Sequence, residues 1–391
     1  MKLVKDDSDK PQIQVCNRVT RARAKSLQTS KKALQPPKPN IKPNGKENSK
    51  RHLSNVTEVN PKRRAALQDV TNINRTKPIL KQVKQLICHP KNPDTKPAKE
   101  TRILKIEPEC KEFTDIDTNS RNLQLCSLYA SDIHKQMCIQ ELDNRPHTSY
   151  MESIQQEITS TMRGILIDWL VEVSEDYKLV PDTLYLTVNL LDRFLSFNPI
   201  GRHKLQLLGV TCMLIASKYE EICSPRVEEF CIITDNTCTK EEVLDWESKV
   251  LNFLNFRISV ATTKTFLRRF IFASQSISES PSEEFEFLAN YLAELTLLEY
   301  EFLKFFPSII AASAIFLARW TLNQNIHPWN PTLEHYTSYK ALELKKVVVA
   351  MEDLQRNTAN CPLNAVREKY KQQNFKSVAY LSSLRSVASI F

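Results

Sequence analysis

Met162-Arg-Gly-Ile-Leu-Ile-Asp-Trp-Leu-Val-Glu-Val173 is the stretch whose reading decides the fold. Its apolar residues Met162, Ile165, Leu166, Trp169, Leu170 and Val173 recur at i, i+3, i+4, i+7, i+8 and i+11. That is the helical period, and it predicts one broad apolar face along an α-helix. Downstream, Pro181 suits the first position of a second helix, where a missing N–H costs nothing. Leu184, Val188, Leu191 and Leu195 carry its apolar face. A third helix, from about His203 to Glu221, is apolar nearly all round, as a central buried helix is. Ser224 and Pro225 restart the chain into a short helix. Thr239, followed three residues on by Glu242, forms a capping box for a fifth, through Val243, Trp246, Val250 and Leu254.

The pattern then repeats. A shift of 102 residues lays Leu207–Lys218 (LLGVTCMLIASK) on Ile309–Trp320 (IIAASAIFLARW), with small residues on small ones: Gly209 on Ala311, Thr211 on Ser313, Ala216 on Ala318. Each half goes on through a Pro-marked turn, at Pro225 or at Pro328 and Pro331. Ser280, Pro281 and Glu283 give a further helix-start signal. Only four glycines occur in the chain, too few for βαβ turns or a phosphate loop. The prediction is an all-α protein of two tandem five-helix bundles, over 121–256 and 257–391, behind a tail at 1–120.

The tail differs in composition. Its first 100 residues hold 24 Lys and Arg against 8 Asp and Glu, while the rest of the chain holds 30 against 37, so the basic balance belongs to the tail alone. Half of the 20 prolines lie there, and no Phe, Tyr or Trp precedes Phe113. Such a segment cannot bury enough apolar surface to offset its chain entropy, which predicts disorder. The ten cysteines include no CxxC pair, and Cys212 sits in an apolar helical pattern as a small hydrophobe. Met1-Lys-Leu-Val-Lys5 opens no apolar signal-peptide run, and no stretch approaches a membrane span. A soluble, reduced, intracellular protein is expected. Cys88 beside His89 is two metal ligands without a second pair, so no metal site is predicted, and no cofactor.

Met162–Val173 resembles the start of a cyclin box. The resemblance continues through Leu190-Leu-Asp-Arg-Phe-Leu-Ser196, Lys204-Leu-Gln-Leu207, Ala216-Ser-Lys-Tyr-Glu-Glu221, Glu228-Glu-Phe230 and Ile233-Thr-Asp235. It covers about 125 to 380, and Leu170-Val-Glu-Val-Ser-Glu-Asp-Tyr177 is similar to the A-type cyclins of plants in particular. It implies a non-catalytic regulatory subunit that binds and activates a cyclin-dependent serine/threonine kinase and recruits substrates in S, G2 and M phases.

Residue by residue, the resemblance implies a buried ion pair of Arg163 with Asp192. It implies a kinase-binding face with Lys218, Glu221, Glu247 and Phe256, whose charges would meet the kinase's regulatory helix. A surface ion pair between helices is the plainer reading of Lys218 and Glu247 from residue type alone. A helix near Leu125 to Met137 would clamp the kinase through Tyr129 and Ile133, although Gln136 stands where animal A-type members carry an aromatic. The implied docking patch is Met162, Ile165, Leu166 and Trp169, with Leu205, Gln206 and Glu172. There an Arg-x-Leu peptide would place its Leu in an apolar groove and its Arg near Glu172. Periodicity leaves groove and core equally open, because an inward stripe has the same spacing. Gly164 costs about 1 kcal/mol relative to Ala and reads as a close helix contact.

Within the tail, Lys46-Glu47-Asn48 matches a KEN box, and Arg64-Ala-Ala-Leu67 with Asn72 matches a destruction box. Together they resemble the ubiquitin-ligase signals of mitotic cyclins. Lys62-Arg63-Arg64, with Arg21, Arg23, Lys25 and Lys31-Lys32, reads as a nuclear import signal or a solvated charge run; nuclear localisation, with some cytoplasmic protein, is expected. The rival class is a cyclin-fold transcription factor that binds nucleic acid, which the basic tail encourages. The acidic balance after residue 100 and the lack of a zinc ribbon weigh against it, so neither nucleic acid nor membrane is an expected partner. No Gly-rich phosphate loop, HExxH, GxSxG or ordered triad points to an enzyme.

Overall fold

The computed structural model describes residues 113–117, 126–276, 282–357 and 361–391, and every regular element among them is a helix. Two helices come first: α1 (Ala130–Gln140), entered through a 3₁₀ turn at Ser127–Tyr129, and α2 (Tyr150–Ser153). The first bundle follows as α3 (Ser160–Tyr177), α4 (Pro181–Leu195), α5 (Leu205–Glu220), α6 (Val227–Ile233) and α7 (Lys240–Phe253). The second is α8 (Thr263–Gln275), α9 (Glu283–Leu298), α10 (Pro307–Leu322), α11 (Pro331–Thr337) and α12 (Ala341–Asn357). A short α13 (Ala365–Tyr370) and three 3₁₀ turns finish the chain. The 102-residue offset is structural: α5 and α10 both have 16 residues and start at Leu205 and Pro307.

The helices start where their sequences provide for it. Thr159 caps α3, its hydroxyl accepting from the Met162 N–H at 3.2 Å. Thr239 and Glu242 exchange the two bonds of a capping box, at 3.2 and 3.0 Å. Pro181, Pro307 and Pro331 open α4, α10 and α11. The start expected around Glu283 is where α9 begins. Ser282 caps α9, through the Phe285 N–H at 3.3 Å, while Ser280 and Pro281 lie outside the described residues.

α5 and α10 fill the bundle centres with buried residues on all sides. Gly209 decides how closely α3 meets α5, since a Cβ there would stand 2.9 Å from the Leu166 Cδ1. Gly164 does the same toward the second bundle, where a Cβ would lie 3.0 Å from Leu363 Cδ1 and 3.4 Å from the Leu298 carbonyl. α13 is bound across both bundles. Lys369 meets buried Glu294 of α9 at 2.9 Å and Glu175 of α3 at 3.1 Å, and the Tyr370 hydroxyl donates to Glu294 at 2.7 Å.

One segment departs from the expected layout. Phe113–Asp117 falls in the range assigned to the tail, yet Ile116 is buried and the segment packs on α8 and α11. A single aromatic and a single Ile carry no periodicity, so nothing local announced the contact. The rest of the expected tail, with both degradation signals and the basic clusters, lies outside the described residues.

Candidate functional site

The surfaces are held in place by a charged staple. Arg163 and Asp192 are each 1 % exposed and pair bidentately, Nε to Oδ1 and Nη2 to Oδ2, both at 2.7 Å. The Tyr150 hydroxyl donates to Asp192 Oδ1 at 2.8 Å, and Arg163 Nη1 donates to the Leu297 carbonyl at 3.0 Å. The pair anticipated within one bundle therefore also satisfies the carbonyl end of α9 in the other. Burial, and then the Asp192 carboxylate, push the Tyr150 phenol far up. Burial alone would lower the Arg163 guanidinium, but Asp192 more than compensates and raises it.

At the end of α5, Lys218 Nζ meets Glu247 Oε1 of α7 at 2.6 Å, with the side chains 46 % and 13 % exposed. The two residues are thus together and reach solvent, mainly through the lysine. Exposed Tyr219 and Ile222 follow Lys218 in the chain. Sequence reasoning passed over both, although large apolar residues beside a charged pair at a helix end were a readable signal. Phe256 is 65 % exposed, at a left-handed turn (φ 57°) closed by its own N–H on the Leu251 carbonyl at 3.0 Å. Tyr129 and Ile133 of the α1 region are exposed, as is Gln136. Glu221 behaves otherwise: its Oε1 accepts from the Val180 N–H at 2.8 Å and the Thr183 hydroxyl at 2.6 Å. It ties the start of α4 to the end of α5, in addition to its expected place on the kinase-binding face.

The α3 stripe is neither all groove nor all core. Ile165 is exposed, Met162, Trp169 and Glu172 are half-buried, and Gln206 is exposed at the start of α5. Leu166 and Leu205 are buried. The expectation of Leu166 as an open groove lining is corrected, because it turns toward α5 into the space Gly209 leaves. Two faces of one helix share these residues: a rim facing solvent and a floor that belongs to the core.

Among the described residues no cluster of three or more His, Cys, Asp or Glu is placed to hold a metal, and no helix is long and apolar enough to cross a membrane. The described cysteines are free thiols; burial pushes that of Cys212 well up, as befits a core residue.

Tandem bundles of this plan, centred on α5 and α10, define a cyclin fold. Two family profiles agree: "Cyclin, N-terminal domain" matches residues 132–259 and "Cyclin, C-terminal domain" matches 261–384. The chain belongs to the cyclin family. Among its relatives, cyclin-A2-1 of Arabidopsis thaliana is 50 % identical over 96 % of this chain and 94 % of that protein. Cyclin-A2-2 of Arabidopsis thaliana is 64 % identical over 72 % of this chain and 65 % of that protein. The similarity thus runs to the A-type cyclins of plants. A viral cyclin from herpesvirus saimiri shares the fold with a TM-score of 0.52, over 57 % of this chain and 96 % of that one, at 24 % identity.

Proposed function

We propose that the chain is the regulatory subunit of a cyclin-dependent serine/threonine kinase, acting in S, G2 and M phases and carrying out no catalysis itself. The observation that carries this reading is the Lys218–Glu247 pair, which reaches solvent through Lys218 and is followed in the chain by exposed Tyr219 and Ile222. A charged pair beside apolar side chains suits a kinase's regulatory helix, which has both apolar and charged positions. Contact there holds that helix where its catalytic Glu reaches the ATP-binding Lys. Because the contact exists only in the active arrangement, binding shifts the kinase population toward it. Tyr129, Ile133 and Phe256 are further exposed contacts for the same partner.

Substrates and inhibitors bearing Arg-x-Leu would dock on Met162, Ile165 and Trp169, over the floor of Leu166 and Leu205, with Gln206 and Glu172 on the polar side. A mitotic ubiquitin ligase would read Lys46, Glu47, Asn48, Arg64, Leu67 and Asn72. The basic clusters around Lys62 would direct the protein to the nucleus.

The test uses charge exchange. Lys218→Glu and Glu247→Lys should each weaken association with a cyclin-dependent kinase by about tenfold or more, the effect of losing a central interface contact. Far-UV helicity should hold. The double exchange rebuilds the internal pair with reversed polarity and should remain weak. Recovery of affinity in the double variant would mean that the pair serves only this chain.

A further inference from the structure

Phe113–Asp117 lie on the second bundle between α8 and α11, with a bend at Ile116 and Asp117 where the Asp117 N–H donates to Asp115 Oδ1 at 2.9 Å. The Phe113 ring stacks on His335, with centroids 3.9 Å apart and 14° between planes, and meets Tyr336 edge-on at 6.3 Å. The Thr114 N–H donates to the Thr332 hydroxyl at 3.1 Å, and the Ile116 N–H to the Tyr336 hydroxyl at 3.0 Å. Ile116 is buried. Both carboxylate oxygens of Asp117 engage Arg269, at 3.1 and 2.8 Å, in the fork that guanidinium geometry favours. The Arg269 guanidinium also stands 5.3 Å from the centre of the Tyr336 ring. An aromatic in a stack, an aliphatic in a pocket, main-chain N–H groups answered by side chains and an acid on a fixed arginine are how a groove reads a bound peptide.

One wall of that groove, α8, also packs on α1. His134 of α1 packs edge-on against Phe266 at 6.0 Å and Phe270 at 5.9 Å, both on α8. Burial, and then Arg269, lower the His134 pKa, while Asp117 opposes them. Arg269 therefore lies within electrostatic reach of both the Phe113–Asp117 segment and the helix that carries Ile133. Asp117 pairs with Arg269, whose chain neighbour Phe270 is one of the two rings against which the half-buried His134 packs.

We propose that the groove between α8 and α11 is a peptide-docking site, filled in cis by Phe113–Asp117, which latches α1 in place for the kinase. The recognised pattern is an aromatic residue, two intervening residues, then an aliphatic and an acid. The docking part stands on the groove itself, and the consequence for the kinase rests on the proposed function.

The segment belongs to the same chain as the groove, so its binding there is intramolecular, with an effective concentration on the order of millimolar. A labelled peptide of residues 111–119, added at micromolar concentration, should be excluded from the intact chain and bind a full-length Phe113→Ala/Ile116→Ala variant. Fluorescence anisotropy reads the difference. Replacing Asp117 by Arg in the peptide should weaken binding about tenfold or more, and adding Arg269→Asp to the variant should recover it. Amide hydrogen exchange in α1 should quicken in the latch variant, and its affinity for kinase should fall. Equal binding to intact and variant chains, no binding to the variant, or charge exchange without recovery would overturn the docking site. Unchanged exchange in α1 would overturn the latch. Faster exchange with unaltered kinase affinity supports the latch and overturns the dependence of kinase binding on a fixed α1.

Discussion

The two bundles are built alike and finish their central helix in opposite ways. In α5 the last turn presents Lys218 and Tyr219 to solvent. At the matching place in α10, Trp320 is only 3 % exposed, and its indole N–H donates to the Arg385 carbonyl at 3.2 Å. The C-terminal segment is what covers it. Val387 is buried, Phe391 stacks on Phe316 at 5.1 Å, and the carboxylate of Glu352 accepts from Ser383, Ser386 and the Val387 N–H at 2.9–3.0 Å. One architecture thus offers the same helix end twice. The chain seals one copy with its own residues and leaves the other exposed to solvent.

The largest effect should come from the staple that both bundles share. Arg163→Ala leaves Asp192 buried without its partner, and stability should drop by about 3–5 kcal/mol. Calorimetry should show one transition, lowered as a whole. A second bundle that kept its own melting temperature would mean that the two copies are energetically separate. Next comes the seal. Glu352→Ala strands the donors of Ser383, Ser386 and Val387 and should cost about 1–3 kcal/mol, with faster hydrogen exchange at the end of α10. Kinase affinity per folded molecule should hold, and a loss as great as that of the Lys218 variant would erase the distinction between covered and open ends.

The smallest effect concerns the seam. Asp168 of α3 accepts from the Ala365 N–H at 2.9 Å, yet burial, with Glu172 adding to it, pushes its carboxyl up to about 6. Its folded pKa lies above the unfolded value near 3.9, so the folded state holds more protons between the two. The stability it gains when protonated is lost as pH rises from about 4 to about 6. Asp168→Asn should flatten that part of the melting-temperature profile, by no more than about 1 kcal/mol after solvent screening. A profile parallel to that of the unaltered protein would show that the seam does not bury this charge.

Helix positions and the repeat were legible because they are written locally. The period of Met162–Val173, Pro181 at the start of α4 and the Thr239–Glu242 box each specify structure within a few residues. The surfaces were only half legible. Periodicity placed Leu166 on the right stripe but could not say that Gly209, 43 positions away, would draw it into the core. Glu221 looked like part of a charged helix end, and only the return of α4 beside it makes it a cap. Phe113–Asp117 and the Glu352 cluster bring together residues far apart in the chain, with no spacing rule to connect them.

The reach of Arg163 also has a consequence for the order of synthesis. Its partner Asp192 is 29 residues downstream, whereas the Leu297 carbonyl is 134 downstream. A ribosome adding about 5–20 residues per second delivers Asp192 within seconds and the end of α9 on the order of ten seconds later. In that interval the nascent first bundle closes on a guanidinium with one donor still owed a carbonyl. Water is the acceptor at hand for that donor until the second half emerges, so the last bond of this staple is available only to the completed repeat.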